Sequence, residues 1–267
     1  MTLFFLGYLG HLFSLQVIDG QFHAAQAVLL TRRGSTLPAP RGEIFDRHVQ
    51  RLAAEALGKR LGSVVVLRPS TGEILAMVSY PSFDPNALYG RESTSALSQL
   101  QSDTRAPFLN RALQSSYPPA STFKILLTAA ALQEQVIGPD DIIYADPVYR
   151  IGNREVREWR PNGFGSLNLV GALANSSNVF FATLGNEYLG TELLLSYASE
   201  FGFGSLTGID LPGERSGVVP SPEWKRNEFH SAWVPGDTVN VSIGQGFLDV
   251  TPLQLANMVA VMVEAYQ

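Results

Sequence analysis

The sequence predicts an α+β fold, in which one β-hairpin accompanies several helices. Residues 63–67 and 74–78 are apolar, β-branched runs, and the segment RPSTG at 68–72 between them has the composition of a hairpin turn. Helical periodicity or helix-start signals occur later in the chain, at 121–138, 167–174, 179–189, 192–201 and from Thr251 onward. Because strands and helices do not alternate regularly, a parallel βαβ sheet is not expected.

Loops are predicted where glycine, proline or small polar residues are concentrated or no periodicity is present: 81–110, 140–165 and 202–237. The Gly-x-Gly sequences at 202–204 and 244–246 lack the strand-then-helix context of a nucleotide-binding fingerprint, so both are also predicted to be loops. Thr251 followed by Pro252 has the pattern of an N-cap with proline at the first helical position, which predicts the start of the last helix.

Composition and charge exclude several classes of function. Of the 267 residues, 45% are hydrophobic and only 16% are charged, and the net charge is −5. A negative balance without a basic run gives no indication of nucleic-acid binding. The absence of cysteine excludes disulfides, thiol nucleophiles and thiolate metal sites, and the four scattered histidines have no metal-binding spacing. No cofactor and no metal are therefore expected.

The first residues are predicted to form part of a membrane anchor. Residues 1–18 carry no charged side chain, although a membrane-spanning helix needs about 20 apolar residues. The segment also lacks the positive start and the cleavage site of a signal peptide. We interpret it as the outer part of an anchor, and the alternative is an ordinary buried helix. Residues 19–33 are then predicted to form a polar helix, and Pro38 and Pro40 are predicted to open an extended segment at 41–47.

Ser121 and Lys124 form the most informative pair of residues. Pro118 and Pro119 end any earlier helix, and the small or unbranched residues after Ser121 favour a new one. Residues three apart share a helix face, so the lysine amine can reach the serine hydroxyl. Serine becomes nucleophilic when a neighbouring base takes its proton, and lysine serves as that base when burial lowers its pKa. The alternative is a helix N-cap at Ser121 beside a solvated Lys124.

A serine and an amide about fifty residues later, Ser176 and Asn178, can contribute to the same site. They lie on a tight connection between two predicted helices, where side chains can face a cleft. Taken alone, the triplet favours the simpler interpretations, a helix cap for Ser176 and a turn amide for Asn178. The catalytic interpretation of Ser121 and Lys124 is favoured because Lys124 is the only one of the three lysines with a serine three positions before it, and because the pair lies in an apolar helix.

The two motifs together resemble the active site of the penicillin-recognising serine transferases, whose signature combines S-x-x-K, an S-D-N-like triplet and K-T-G. The rest of the chain is similar to one branch of that group, the class B penicillin-binding proteins, in the order expected for the family. The similar segments are 13–20 (FSLQVIDG), 41–47 (RGEIFDR), 72–86 (GEILAMVSYPSFDPN), 207–213 (TGIDLPG), 219–224 (VPSPEW), 235–246 (PGDTVNVSIGQG) and 251–256 (TPLQLA).

The resemblance implies a peptidoglycan D,D-transpeptidase on the penicillin-binding protein/serine β-lactamase-like fold, an antiparallel sheet with helices on both sides. Ser121 would attack the carbonyl of the penultimate D-alanine of a stem peptide, release the terminal D-alanine and pass the acyl group to a neighbouring amine. Lys124 would be the base, Ser176 would relay a proton to the leaving group, and Asn178 would hold the lysine amine and the peptide amide. β-Lactams would acylate Ser121 as mimics of the donor.

The resemblance also implies a domain order, a location and partners. Residues 1–20 correspond to a partial membrane-anchor helix, 21–61 to a linker with a remnant of the N-terminal non-catalytic module, and 62–267 to the transpeptidase domain. The catalytic part is expected on the periplasmic or extracellular side of the bacterial inner membrane. The implied partners are stem peptides ending in D-Ala-D-Ala, β-lactams, a membrane glycosyltransferase and other cell-wall proteins, without nucleic acid.

The chain departs from the family pattern in two places. It contains no K-T-G or K-S-G, and only a few residues separate Ala53 from the strand at Gly62, where the family places a pedestal domain. We therefore expect a transpeptidase domain that is incomplete at its C-terminus and lacks most of the pedestal. Two alternatives stay open: a β-lactam sensor or hydrolase on the same fold, and a catalytically inactive interaction module of a cell-wall complex.

Overall fold

A computed structural model describes residues 47–88 and 93–264 of the chain. The helices in these ranges are α1 (Arg47–Leu57), α2 (Ser93–Ser102), α3 (Phe123–Gln133), α4 (Leu169–Asn175), α5 (Asn178–Thr183), α6 (Gly190–Glu200), α7 (Pro222–Phe229), α8 (Pro235–Ser242) and α9 (Pro252–Glu264). The strands are β1 (Gly62–Leu67), β2 (Ile74–Tyr80), β3 (Ile143–Ala145), β4 (Val148–Ile151), β5 (Arg154–Arg157) and β6 (Gly165–Leu167). They pair in antiparallel fashion as β1–β2, β3–β6 and β4–β5, which confirms the predicted α+β class.

The β1–β2 hairpin forms as the sequence predicts. Gly72 in its turn has a φ of 72°, a left-handed conformation that glycine adopts without steric cost. α1 packs on the same hairpin, where Ala53 of the helix and Ala76 and Val78 of β2 form a small buried cluster. The last part of the region 21–61 is therefore in direct contact with the first two strands.

The main hydrophobic core is built around α3. Phe123, Leu126, Leu127 and Ala130 are fully buried, and the helix packs against α4, α6, α8 and the π-helix Leu184–Leu189 that follows α5. Burying a large apolar side chain stabilises a fold by about 1.5–3 kcal/mol. This buried face therefore fixes the position of the helix that carries Lys124.

α3 ends at Gln133, several residues before its predicted end. Gln135 adopts a left-handed conformation with φ 55°, and its N–H donates to the carbonyl oxygen of Leu132 (3.2 Å). The N–H of Val136 donates to the carbonyl oxygen of Ala131 (3.1 Å). These two bonds are the Schellman motif that closes many helices. Its left-handed position is usually glycine, so a glutamine there gives no signal in the sequence.

The prediction of irregular structure over 140–165 is wrong, because β3, β4 and β5 lie in this segment. β4 and β5 form a hairpin around Gly152 and Asn153, with Tyr149 opposite Val156. A Gly-Asn pair between two short runs is a hairpin signal. The strands are only three or four residues long, and β5 is mostly charged, so the apolar pattern is weak.

The loop predictions for 81–110 and 202–237 are wrong in part, since α2 lies in the first segment and α7 and the start of α8 lie in the second. The Ser221 hydroxyl caps α7, Pro222 occupies its first position, and Pro235 likewise begins α8. Serine followed by proline is a helix-start signal of the same kind as the one at α9. The helices were missed because glycine and proline surround these short segments.

The predicted helices in the C-terminal half are confirmed. α4 and α5 are separated by a tight connection at Ser176 and Ser177, and α6 lies close to its predicted position. At the start of α9, Thr251 Oγ1 accepts the N–H of Gln254 (3.1 Å), and Gln254 Oε1 accepts the N–H of Thr251 (2.8 Å). This reciprocal pair is a capping box, which explains why the sequence signal at Thr251 was reliable.

Several predictions concern residues outside the described ranges: the apolar segment 1–18, the anchor over 1–20, the polar helix at 19–33 and nearly all of the segment 41–47. Across 47–88 and 93–264, no helix combines the length and the hydrophobicity needed to cross a membrane. The proposed domain boundaries at 20/21 and 61/62 stay predictions.

Candidate active site

Ser121 lies in a short 3₁₀ turn, Ala120–Thr122, that leads directly into α3. A proline pair precedes the turn, and Thr122 Oγ1 donates to the carbonyl oxygen of Pro119 (2.6 Å). Ser121 is exposed, so its hydroxyl is accessible to a substrate. It is not a helix cap, because the N-cap position of α3 belongs to Thr122.

Gly244 supports the serine turn from the other side. Ala120 has a left-handed backbone with φ 50°, which costs a residue with a side chain about 1–2 kcal/mol. Its N–H donates to the carbonyl oxygen of Gly244 (2.7 Å). Gly244 itself has φ 68°, and a Cβ added there would lie 2.1 Å from the Ala120 carbonyl oxygen. This position therefore requires glycine. The sequence analysis correctly predicted a loop here but did not identify its contact with the serine turn.

Lys124, in the first turn of α3, is almost completely buried, with 1% of its surface exposed. Its Nζ donates to the carbonyl oxygen of Ser176 (2.7 Å), to Ser176 Oγ (3.2 Å) and to Asn178 Oδ1 (2.8 Å). A protonated lysine has three N–H donors, so these acceptors match its capacity. Among the described residues, Lys124 forms no ion pair. The ammonium group is therefore stabilised by hydrogen bonds to neutral carbonyl, hydroxyl and amide oxygens.

Burial lowers the pKa of Lys124 from its ordinary value of 10.5 to about 8, because removal from water disfavours the ammonium form. The negative charge of Glu158 opposes this shift. At pH 7, one unit below that pKa, about a tenth of the molecules hold a neutral amine, against less than about a thousandth for an ordinary lysine. Lys124 can thus accept a proton near neutral pH, as the sequence analysis expects of a base.

The turn between α4 and α5 brings Ser176 and Asn178 to the lysine. Ser176 has a left-handed backbone (φ 50°, ψ 42°) at the end of α4. Asn178 accepts from Lys124 through Oδ1 and donates through Nδ2 to the carbonyl oxygen of Arg157 (3.2 Å), which defines the orientation of the amide. The side chain that caps α5 is that of Ser177, so the Ser176 hydroxyl is free to face the lysine.

Glu158 is a buried residue of this site that the sequence analysis did not identify. It follows β5 directly and is only 8% exposed. Its carboxylate accepts the N–H groups of Asn178 (3.1 Å) and Val179 (2.9 Å) and the hydroxyl of Ser177. No local signal marks Glu158, because the hairpin that carries it was not predicted either.

The structure thus joins Lys124, Ser176 and Asn178 by hydrogen bonds and places Ser121 three residues before the lysine. Within the described part of the chain, the Ser121 hydroxyl makes no hydrogen bond, either to Lys124 or to another group. An exposed hydroxyl at a helix start, three residues before a buried and partly neutral lysine, is an arrangement suited to acyl transfer. The roles of these four residues stay predictions.

The family model of the penicillin-binding protein transpeptidase domain matches residues 62–266. The chain belongs to this family. The match covers every predicted site residue of the transpeptidase domain and agrees with the resemblance found in the sequence.

Relatives and solved structures give the same result for this transpeptidase domain. Peptidoglycan D,D-transpeptidase MrdA of Haemophilus influenzae is 38% identical over 222 residues, which are 82% of this chain and 34% of that protein. Pseudomonas aeruginosa PBP2, in complex with WCK 5153, has a TM-score of 0.77 and 37% identity, and the match covers 82% of this chain and 48% of that one. Helicobacter pylori PBP2, in its complex with MreC, has a TM-score of 0.74 and 35% identity, covering 79% and 39%.

These similarities confirm the predicted transpeptidase fold. The chain spans about a third of the length of the curated relatives that it matches.

Proposed function

We propose that this chain is a peptidoglycan D,D-transpeptidase that cross-links stem peptides ending in D-Ala-D-Ala through an acyl-enzyme on Ser121. The observation that carries the proposal is the state of Lys124, which is buried one turn after an exposed serine and has no ion pair within 47–88 and 93–264. Membership of the transpeptidase family supports the same chemistry.

In the acylation step, the neutral Lys124 amine takes the proton of the Ser121 hydroxyl as the serine oxygen attacks the carbonyl carbon of the penultimate D-alanine. N–H groups and the positive end of α3 stabilise the negative charge that develops on the carbonyl oxygen. The Ser176 hydroxyl, 3.2 Å from the lysine Nζ, passes a proton from Lys124 to the departing amine. The peptide C–N bond breaks, terminal D-alanine leaves, and Lys124 is neutral again.

In the second step, the amine of another stem peptide attacks the ester carbonyl carbon. The amine loses a proton through Ser176 and Lys124, and the Ser121 oxygen leaves as a hydroxyl. One peptide bond is formed for each one broken, so the reaction needs no redox cofactor. A β-lactam undergoes the same attack, but its ring opens without losing the leaving group, which stays attached and blocks the acceptor. Ser121 therefore stays acylated.

We extend this proposal to the setting of the whole protein. The H. pylori PBP2 structure contains MreC, and we propose that this chain likewise works with cell-wall proteins, including a membrane glycosyltransferase. Residues 1–20 would anchor it in the bacterial inner membrane, residues 21–61 would form the linker and module remnant, and 62–267 would act on the outer side.

The test is covalent labelling of the complete 267-residue chain with a fluorescent penicillin, followed by mass spectrometry of the labelled peptide. We expect one stable adduct on Ser121 that is lost in Ser121→Ala and kept in the control Ser116→Ala. A stem pentapeptide should then release D-alanine with the same dependence on Ser121. Absence of label on the folded protein would instead support an inactive interaction module, and release of the label within minutes would support a hydrolase.

A further inference from the structure

We propose that Glu158 is a positioning residue of this active site, which holds the α4–α5 turn so that Ser176 and Asn178 meet Lys124. The inference rests on the proposed function, since it assigns Glu158 a part in the transpeptidase reaction without contact to the substrate.

Glu158 binds consecutive residues of the turn. Oε1 accepts the hydroxyl of Ser177 and the N–H of Val179 (2.9 Å), and Oε2 accepts the N–H of Asn178 (3.1 Å). A buried carboxylate is costly unless charged partners or several hydrogen bonds compensate for lost water. Among the described residues, no cation pairs with Glu158, so these three donors supply the compensation. The turn and the carboxylate thus depend on one another.

These contacts explain why successive side chains of the turn point to different partners. Ser177 is fully buried and binds Glu158, while its two neighbours bind the Lys124 amine. Ser176 also keeps a left-handed backbone, which costs about 1–2 kcal/mol and persists only where surrounding contacts enforce it. By fixing the next three residues, Glu158 supplies part of that enforcement.

Glu158 also acts on Lys124 through its charge. The two residues share no hydrogen bond and form no ion pair, yet the attraction to Glu158 raises the pKa of Lys124 against the effect of burial. Glu192 on a neighbouring helix is exposed. The other charged groups on the elements around α3 and α5 are engaged elsewhere: Glu134 with Tyr197, Glu187 with Tyr149, Glu200 with Ser196, Arg154 with Asn240, Arg150 and Arg157 with Glu155, and Asp237 with Lys225.

The experiment compares Glu158→Gln with the matched control Glu155→Gln, an exposed residue of β5 that pairs with Arg150 and Arg157. The rate constant for acylation by a fluorescent penicillin is measured from pH 6 to 10. In Glu158→Gln we expect the rising limb of the profile to move to lower pH, because the charge that favours protonated Lys124 is lost. We also expect the plateau rate to fall about 10- to 100-fold, because a glutamine amide cannot accept all three donors and the turn shifts.

A second measurement follows Lys124 without using the reaction. With only three lysines in the chain, ¹³Cε-lysine NMR gives separate titrations for Lys59, Lys124 and Lys225. The Lys124 midpoint should decrease in Glu158→Gln and keep its parent value in Glu155→Gln. A lower melting temperature with an unchanged plateau and unchanged Lys124 midpoint would overturn the inference. If the parent protein takes no label, the proposed function fails, whereas the Lys124 titration still decides the role of Glu158.

Discussion

The two buried lysines of the chain, Lys124 in α3 and Lys225 in α7, have nearly opposite surroundings. Lys225 Nζ lies 2.6 Å from Asp237 Oδ2, a carboxylate that also accepts the N–H of Val234 at the start of α8. Lys124 Nζ is held by serine and asparagine oxygens, and no carboxylate of the described part of the chain is in contact with it. Both amines also lie under 6 Å from the centre of an aromatic ring, so the aromatic contact does not distinguish them.

The comparison shows that lysine serves two different purposes in this chain at similar burial. A carboxylate in contact stabilises the ammonium of Lys225, and this ion pair joins α7 to the first turn of α8. Neutral acceptors orient Lys124 but compensate less for its lost water, which lowers the pKa of this amine to about 8. The first arrangement is structural, and the second gives a lysine that can exchange a proton near neutral pH.

Replacing the proton-exchanging lysine should have the largest effect. In Lys124→Met we expect acylation by penicillin to slow by about 10²–10⁴-fold, the usual loss when a general base is removed. The measurement is the rate of adduct formation on Ser121. The exposed Lys59→Met is the control and should label at the parent rate. Parent-like labelling of Lys124→Met would show that another group is the base.

Replacing the paired lysine should affect stability instead. Lys225→Met leaves the buried Asp237 without its cation, so the free energy of unfolding should fall by about 3–5 kcal/mol, measured by urea denaturation. The folded fraction should label at close to the parent rate. The double variant Lys225→Met with Asp237→Asn should recover part of the stability. Loss of labelling in folded Lys225→Met would contradict the assignment of a structural role to Lys225 and a proton-exchanging role to Lys124.

The contrast between Lys124 and Lys225 can be tested further by placing a carboxylate in contact with Lys124. The parent acylation rate should rise with pH and level off above about 8, since the neutral amine is the active form. In Asn178→Asp the new carboxylate favours the protonated amine and raises the Lys124 pKa, so the rising limb moves to higher pH. At pH 7 the rate should fall about tenfold for each unit of that rise. Asn175→Asp, whose side chain bonds to Gly171, should keep the parent profile.

The smallest effect is expected at the support of the serine turn. Gly244→Ala places a methyl group against the Ala120 carbonyl oxygen and should reduce the acylation rate about tenfold by displacing Ser121. Gly72→Ala is the matched control, because Gly72 has a similar φ of 72° but no atom within 4 Å of an added Cβ. Both variants should lose about 1–2 kcal/mol of stability from backbone strain, measured by urea denaturation. Gly244→Ala should lose more than Gly72→Ala, because its methyl group also clashes with the Ala120 backbone, and only Gly244→Ala should lose activity. Equal rates in the two variants would remove the proposed role of Gly244.

The sequence predicted those elements that combine a local signal with a long apolar or periodic run. The β1–β2 hairpin has two long apolar runs around a glycine turn, and α9 has a complete capping box at Thr251 and Gln254. β3 is stabilised by pairing with β6, and the link between Ile143 and Leu167 crosses more than twenty residues. Such pairing leaves little trace in three-residue strands, so these elements were missed.

The prediction of the site residues shows the same contrast between local signals and long-range contacts. Ser121 and Lys124 were predicted because three-residue spacing on a helix is visible in the sequence. Ser176 and Asn178 required the family resemblance, since a polar turn alone has many uses. Glu158 and Gly244 were not identified, because each acts through contacts with a distant part of the chain: the α4–α5 turn for Glu158 and Ala120 for Gly244.

The shortest bond of the lysine in this site, 2.7 Å, goes to the main-chain carbonyl of Ser176 rather than to a side chain. No substitution at position 176 removes that carbonyl oxygen. A mutation can therefore remove the serine hydroxyl and still leave the main-chain bond that holds the lysine. Replacement of Ser176 by alanine would remove the hydroxyl proposed to relay the proton, while the main-chain carbonyl would still hold the amine. An enzyme altered in this way would be expected to retain a slow reaction with penicillin, which makes the anchorage more tolerant of mutation than the chemistry that it supports.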